Sequence, residues 1–407
     1  MTMQIHALVL AVLTLLLASA SGAQEPGDIY VIDDLSGTDF RLFSIDPASG
    51  DRTLVSGCEG SGESCASLRG SGPVFGSPRG LAVEDDGSIV IADDAIPRDL
   101  LRVDPSNGNR TLIEVTNGLP DAENFGALRD VAIDADGSLL VVDRGQATPG
   151  LLRVLRIDQS GTSVVTDSTG VGSGPAASPS ALAILRSAGT IFVAGDDEAQ
   201  SPESRLLDVD PDTGGRSILA GLSLWNRFRG VALASDGHPL VTAKGGLIRV
   251  NPITGIDQTL SSELLGQGPE LTVPEHVAVE NSGAVLVVQR HATSHVGIIR
   301  VNPETGTRTA LDGSGPSFLN PYGIDVVPEV CGDLNGDGFA DRADVTRFRE
   351  FLADPLGNPL SAFEQQSCGT APAIGSCGIV DVAVLLREAE LPFSAPGIAQ
   401  LCSRAGG

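Results

Sequence analysis

The sequence predicts an all-β chain, a six-bladed β-propeller closed by N- and C-terminal strands of one blade, with a small α-helical domain after it. Three observations carry this reading. First, a phrase of about seventeen residues, read from Arg41 through Ile45, Asp46, Pro47 and Gly50 to Val55, returns from Leu101, Arg153, Arg205, Leu247 and Ile298. A second phrase, from Pro78 to Asp93, lies between its copies and returns from Leu128, Ser180, Arg229, Glu275 and, truncated, Tyr322. Fixed self-similarity at this period marks a solenoid or a propeller.

Second, each phrase reads as a hairpin. Gly80–Val83 and Ser88–Ala92 are apolar runs around Glu84, Asp85, Asp86 and Gly87, and Asp-Gly between β-branched runs is a hairpin signal. The turn recurs at Asp136-Gly137 and Asp236-Gly237, more loosely at Ser282-Gly283. In the other phrase Pro105, Ser106, Asn107 and Gly108 join Leu101–Asp104 to Arg110–Ile113, with Pro and Gly placed for a tight reversal. Two hairpins make four antiparallel strands in about fifty residues, the content of a propeller blade.

Third, the ends are complementary. After an N-terminal segment the repeats begin at Asp28–Ile32, which corresponds to a second strand, and they end at Tyr322–Val327, which corresponds to a first strand. Six blades follow, the last pairing one C-terminal strand with three N-terminal ones, and closure removes edges that would invite aggregation. With few aromatics, 4% of the chain, the core must be mainly Val, Ile, Leu and Ala.

The flanks differ in character. Residues 1–23 carry an uncharged apolar run, Ala7–Ala18, and then Ser21, Gly22 and Ala23, which reads as a secretory signal peptide cleaved before Gln24. The run is shorter than the roughly 18 to 20 residues that span a bilayer, so the mature chain is expected to have no transmembrane segment. The expected location is secreted, periplasmic or on the cell surface. The propeller then covers residues 24–329 and a second domain residues 330–407.

All six cysteines fall in the mature chain, where an oxidising compartment favours pairing. Cys58 and Cys65 enclose one loop, while Cys331, Cys368, Cys377 and Cys402 fall together near the C-terminus with their pairing open. A net charge of −26 argues against nucleic acid or anionic lipid as a partner.

The segment Pro78–Asp104 resembles the NHL repeat, with its Pro-x-Gly-Leu-Ala-Val start at Pro78, its Asp86-Gly87 turn, its Val90–Asp93 strand and its Arg102–Asp104 strand. The resemblance covers residues 28–327 and implies the propeller fold. NHL-like propellers include binding platforms, sensor domains and a lyase, and the related senescence-marker and gluconolactonase-like propellers include metal-dependent lactonases. Fold does not choose among these functions.

In such propellers the residue just before the innermost strand stands at the mouth of the central channel. The equivalent positions here are Arg79, Arg129, Ser180, Arg229, Glu275 and Tyr322. The lactonase-like relatives carry a Glu, two Asn and an Asp there as metal ligands, whereas three cations in this ring repel a divalent ion. Convergent guanidinium groups suit a carboxylate or phosphate instead, so a small anionic ligand is expected. A second ring reads Asp33, Asp93, Asp143, Gly195, Ala243 and Gln289, followed by Asp34, Asp94, Arg144, Asp196, Lys244 and Arg290. Its acids are expected to cap turns or to pair with ring arginines of neighbouring blades.

Histidine is sparse, and His276, His291 and His295 belong to one blade, whereas NHL-type lyases gather zinc ligands from several. His238 sits in a hairpin turn. No Gly-x-Ser-x-Gly elbow or nucleophilic cysteine is present. Gly-x-Gly-Pro recurs at Gly70, Gly172, Gly266 and Gly313; each copy leads into a strand rather than a helix, so these are expected to be rigid inter-blade turns, not phosphate loops. Asn109-Arg110-Thr111 matches a glycosylation acceptor but lies in a tight hairpin.

The strongest chemical motif follows Pro328. Asp333, Asn335, Asp337, Asp341 and Asp344 occupy positions 1, 3, 5, 9 and 12 of an EF-hand-like loop, with Gly338 at the sharp turn and Phe339 offering its carbonyl. Val345, Phe348, Phe351 and Leu352 continue at helical spacing. A loop running directly into one helix resembles half of a dockerin. The second half is degenerate, with Asp381 at its twelfth position but Thr370, Pro372 and Ile374 where the first, third and fifth ligands belong. One Ca2+ is therefore expected, with disulfides in place of a second. Arg342 and Ala343 stand where cohesin-recognising dockerins often carry Ser or Thr.

Three functions are weighed. The first is an exported ligand- or protein-binding propeller whose dockerin-like module attaches to a protein, cell-surface or carbohydrate partner. The alternative is a lactonase-like or lyase-like enzyme using the central channel. A purely structural surface or matrix role is the third.

Overall fold

A computed structural model describes residues 27–327, except residues 36, 38, 60–64, 66, 85, 116–124, 146–151, 187, 198–202, 223–226, 235 and 291–294. The signal-peptide expectation and the whole calcium-loop expectation, Asp333 to Asp344, lie outside the described residues.

The chain forms a six-bladed β-propeller of antiparallel sheets. The closing blade carries β1 (Ile29–Asp34), β2 (Phe40–Ile45), β3 (Arg52–Glu59) and β4 (Ser67–Arg69). The first blade is β5 (Pro78–Val83), β6 (Ile89–Asp93), β7 (Asp99–Val103) and β8 (Arg110–Ile113). The second is β9 (Ala127–Ile133), β10 (Leu139–Arg144), β11 (Leu152–Asp158) and β12 (Gly161–Asp167). The third is β13 (Ser178–Leu185), β14 (Thr190–Asp196), β15 (Ser204–Val209) and β16 (Arg216–Leu222). The fourth is β17 (Val231–Leu233), β18 (Pro239–Ala243), β19 (Gly246–Val250) and β20 (Asp257–Ser262). The fifth is β21 (Pro274–Val279), β22 (Val285–Gln289), β23 (Gly297–Val301) and β24 (Arg308–Ala310), and β25 (Pro321–Val326) returns to pair with β1. No helix among the described residues is long and apolar enough to cross a membrane.

The closing blade differs from expectation by one strand. It holds five, because β4 adds to the outer edge of β3 in register Cys58↔Leu68, and a disulfide joins Cys58 to Cys65. The cysteine pair and the extra strand therefore belong to one device, a cover for an outer edge.

The core lies between blades. Second strands of the type Val90, Val141, Val193, Val241 and Val287 are fully buried, and full burial of such a side chain contributes about 1.5–3 kcal/mol. Six apolar clusters each join two neighbouring blades; one packs Tyr30, Ile32 and Leu42 of the closing blade on Leu81, Ile89 and Leu101 of the first, and another packs Ile29 and Phe43 on Val288 and Ile298 of the fifth.

The repeated arginine that opens the outer strand supplies a polar staple between blades. Arg110 Nε donates to the carbonyl of Pro73 at 2.5 Å and Nη1 to Ser56 Oγ at 2.6 Å, with the guanidinium 5.2 Å from the Phe75 ring centroid. Arg216 does the same to Pro175 O, at 2.9 Å, and Arg308 to Pro269 O, at 2.5 Å. Those acceptors belong to the Gly-x-Gly-Pro loops, which are inter-blade turns. Gly70 shows why glycine is needed, since its φ is +76° and a Cβ there would lie 1.8 Å from the Gly108 carbonyl oxygen of the adjoining blade.

Candidate functional site

The inner strands are irregular where they begin. Pairing between β5 and β6 shifts register between Pro78 and Leu81, between β13 and β14 at Ser180, and between β21 and β22 at Glu275. Arg129 and Tyr322 sit at the corresponding shifts of β9 and β25. A β-bulge leaves one residue unpaired and re-aims its side chain. Repeated around the axis, it turns one residue per blade into the channel.

Arg79, Arg129, Ser180, Arg229, Glu275 and Tyr322 accordingly line one cavity of about 240 Å³, together with Arg144, His276 and Arg290. This volume is below the roughly 300–1,000 Å³ of pockets for drug-sized ligands. Arg144 and Arg290 end the second strands or follow them, and they raise the cavity's cations to five against the one carboxylate of Glu275.

The cations are unevenly compensated. Arg290 Nε lies 2.6 Å from Glu275 Oε1, bonds the Tyr322 hydroxyl and stacks 4.4 Å from that ring's centroid. Arg129 is 3.9 Å from Asp94, which already accepts from Arg98 at 2.9 Å. Arg79 stacks 5.6 Å from the Tyr322 centroid. Among the described residues Arg79, Arg144 and Arg229 make no ion pair with a carboxylate, and the Nε atoms of Arg79, Arg129 and Arg144 are buried without a hydrogen-bond partner. Burial, followed by the positive field of Arg144, Arg79 and Arg229, brings the Arg129 pKa down to about 10.

The second ring is structural. Asp93 accepts from the N–H groups of Gly76 and Ser77 at 2.7 and 2.6 Å, and Gln289 from Thr272 at 2.7 Å. Asp33 caps Leu319 and Asn320 while binding Arg41 at 2.5 Å, and Asp143 caps Gly126 while binding Arg153. The acids thus cap the loops that enter the inner strands. The cationic partners of Asp33 and Asp143 are third-strand arginines of the same blade, whereas Asp94 lies 3.9 Å from the ring arginine Arg129 of the neighbouring blade.

One residue further along the inner strands, the six positions read Gly80, Asp130, Ala181, Gly230, His276 and Gly323. Asp130 and His276 stand on opposite blades, yet His276 Nε2 lies 3.2 Å from Asp130 Oδ2. Asp130 also accepts the Leu182 N–H at 3.1 Å, and its side chain is 2% exposed. His276 also lines the cavity, one residue further along its strand than Glu275. The small residues make room for the pair: a Cβ on Gly80 would lie 2.0 Å from Asp130 Oδ1, and one on Gly230 2.7 Å from His276 Cα. Burial opposes the imidazolium, but Asp130, with Asp325 and Glu275 nearby, outweighs it and holds the His276 pKa above its ordinary value. Below, burial pushes Asp325 up to about 6 against the Val83 and Val326 N–H groups, Arg186 and His276.

The cavity does not fit a divalent cation of the lactonase type, since its single carboxylate already binds Arg290 and the remaining charges repel the ion. His238 pairs with Asp236 in its turn, and His295 lies 3.8 Å from Asp312, apart from His276; His291 is outside the described residues. Among the described residues the one cluster of three metal-capable groups is Asp39 with Cys58 and Cys65, whose sulfurs are bonded to each other.

No family model and no curated protein matches the chain. Among solved structures it is similar to a chain of the nidogen/laminin complex, with a TM-score of 0.52 and 13% identity over 74% of this chain and 98% of that one. A protein of unknown function from Bacteroides caccae gives a TM-score of 0.50 and 13% identity over 74% and 98%. A putative gluconolactonase gives 0.43 and 13% over 69% and 91%. At these identities the likeness is one of fold.

Proposed function

We propose that this chain is an exported ligand-binding propeller whose central cavity takes a compact anion through a carboxylate or phosphate group, with a calcium-stabilised dockerin-like module for attachment. One observation carries the reading: in a chain of net charge −26, three guanidinium groups without carboxylate partners among the described residues, those of Arg79, Arg144 and Arg229, converge on one small cavity. Holding like charges together costs stability, and an anion gripped by forked donors offsets that cost. Export rests on the apolar N-terminal run and the paired cysteines.

Calorimetric titration of the mature protein with sulfate, phosphate and gluconate tests this. The parent binds at least one of them, and the Arg79→Ala, Arg229→Ala double variant loses most of that affinity; equal affinity in both would overturn the reading. The enzyme alternative is favoured by the titratable Asp130–His276 pair beside the cavity. Turnover of an aldonolactone by the parent but not by His276→Gln would move the conclusion to it.

A further inference from the structure

We propose that His276 is the floor of the anion site, donating an N–H to the bound ligand, so that the cavity prefers a doubly charged oxyanion and takes it up together with a proton. This rests on the anion-binding reading above. The ring lines the cavity, its Nε2 is committed to Asp130, and its Nδ1 is buried without a hydrogen-bond partner. A buried ring nitrogen with no partner is costly unless a ligand satisfies it. Only the imidazolium donates from both nitrogens; neutral His276 would donate one and accept at the other.

The surroundings decide which form an anion selects. Asp130 from β9, Asp325 from β25 and Glu275 from its own strand act on the ring. The other strands at this level bring Gly80, Ala181, Gly230 and Gly323, none of them titratable. Arg186 acts on Asp325 beneath, and Arg79, Arg129, Arg144, Arg229 and Arg290 line the same cavity. The carboxylates favour the imidazolium and the arginines oppose it. An anion placed among the arginines removes that opposition, so binding and protonation of His276 reinforce each other, as linkage requires. Neutralising Arg79, Arg144 and Arg229 also calls for more than one negative charge in a space of about 240 Å³.

The probe is sulfate, whose charge is constant across the range, titrated calorimetrically into the mature full chain at pH 5.5, 7.0 and 8.5. Affinity in the parent falls as pH rises through the His276 pKa, by about tenfold to a hundredfold for loss of one charge-assisted hydrogen bond. His276→Gln binds more weakly at pH 5.5 and shows no such slope. Gluconate, with one charge, binds more weakly than sulfate. Sulfate binding that is independent of pH, or a slope retained in His276→Gln, would overturn the proposal while leaving the anion site standing. No sulfate binding in the parent at any pH overturns the proposal, and only the absence of sulfate, phosphate and gluconate binding alike overturns the anion site as well. Should His276→Gln fail to fold, nitrogen-15 NMR of the parent's His276 ring decides, since sulfate must shift the Nδ1 resonance and an unmoved resonance refutes the contact.

Discussion

Asp130 and His276 meet across the propeller axis, Oδ2 to Nε2 at 3.2 Å, although 146 residues separate them along the chain. The contact crosses the axis beside the cavity that His276 also lines. It also sets two kinds of charge in layers, with arginines at the mouth and a carboxylate–imidazole pair beneath them.

That pair needs empty space beside it, which the glycines provide. Gly80→Ala would drive a methyl group to within 2.0 Å of Asp130 Oδ1 and 2.7 Å of its Cα. Overpacking of this kind costs about 1–3 kcal/mol. Chemical denaturation should show that loss, whereas Gly137→Ala, with no heavy atom within 4 Å of its Cβ, should show only the strain of its positive φ. Equal losses would mean that the floor is not tightly packed.

Asp325 predicts a pH dependence of stability. Its pKa rises from 3.8 to about 6 on folding, chiefly through burial. Between these values the folded state binds more protons than the unfolded state, so the contribution of this group is present at about pH 4 and is lost as pH rises through about 6. Asp325→Asn removes the ionisable group, so its melting temperature relative to the parent should be higher at pH 7.5 than at pH 4.5. The same difference at both pH values would refute the assignment.

The inter-blade arginines predict a test of charge against shape. Arg216 Nε donates to Pro175 O at 2.9 Å and Nη1 to Asp167 O at 2.6 Å, spanning two blades. Arg216→Ala should destabilise by about 2–4 kcal/mol, because several half-buried carbonyls and the buried Thr166 hydroxyl lose their donor. Arg216→Lys should recover little, since a point ammonium cannot reproduce a planar fork. Full recovery with Lys would show that charge alone matters.

The strands and the mouth of the cavity were legible because both repeat. Each copy of the second phrase places one residue before an apolar run, and the bulge there recurs in five of the six blades, so Arg79, Arg129 and Ser180 could be grouped without coordinates. The floor was not legible, because it depends on two residues that differ from the repeat and meet only after the ring closes. A signal existed: the position after the ring residue is Gly80, Ala181, Gly230 and Gly323 in four copies but Asp130 and His276 in the other two. Arg144 and Arg290 stood in the second ring, yet only the curvature of the blades brings them to the cavity. β4 escaped because Ser67–Arg69 is too short and too exposed to carry an alternating pattern.

The C-terminal loop predicts a metal count. Asp333, Asn335, Asp337, Asp341 and Asp344 carry side-chain oxygens at the spacing of a calcium loop, with Gly338 at the position where such a loop turns sharply. The second loop offers Thr370, Pro372 and Ile374 at its first donor positions, of which Pro and Ile have no side-chain oxygen. Elemental analysis of the purified mature protein should therefore find one calcium per chain, and none in the Asp333→Ala, Asp337→Ala variant. Chelation should change the proteolytic sensitivity of residues 330–407 and leave the propeller's melting transition within about 1 °C, because a ligand stabilises only the unit that binds it. A metal that survives in the variant would place an ion elsewhere in the chain and would strengthen the enzyme reading of the cavity.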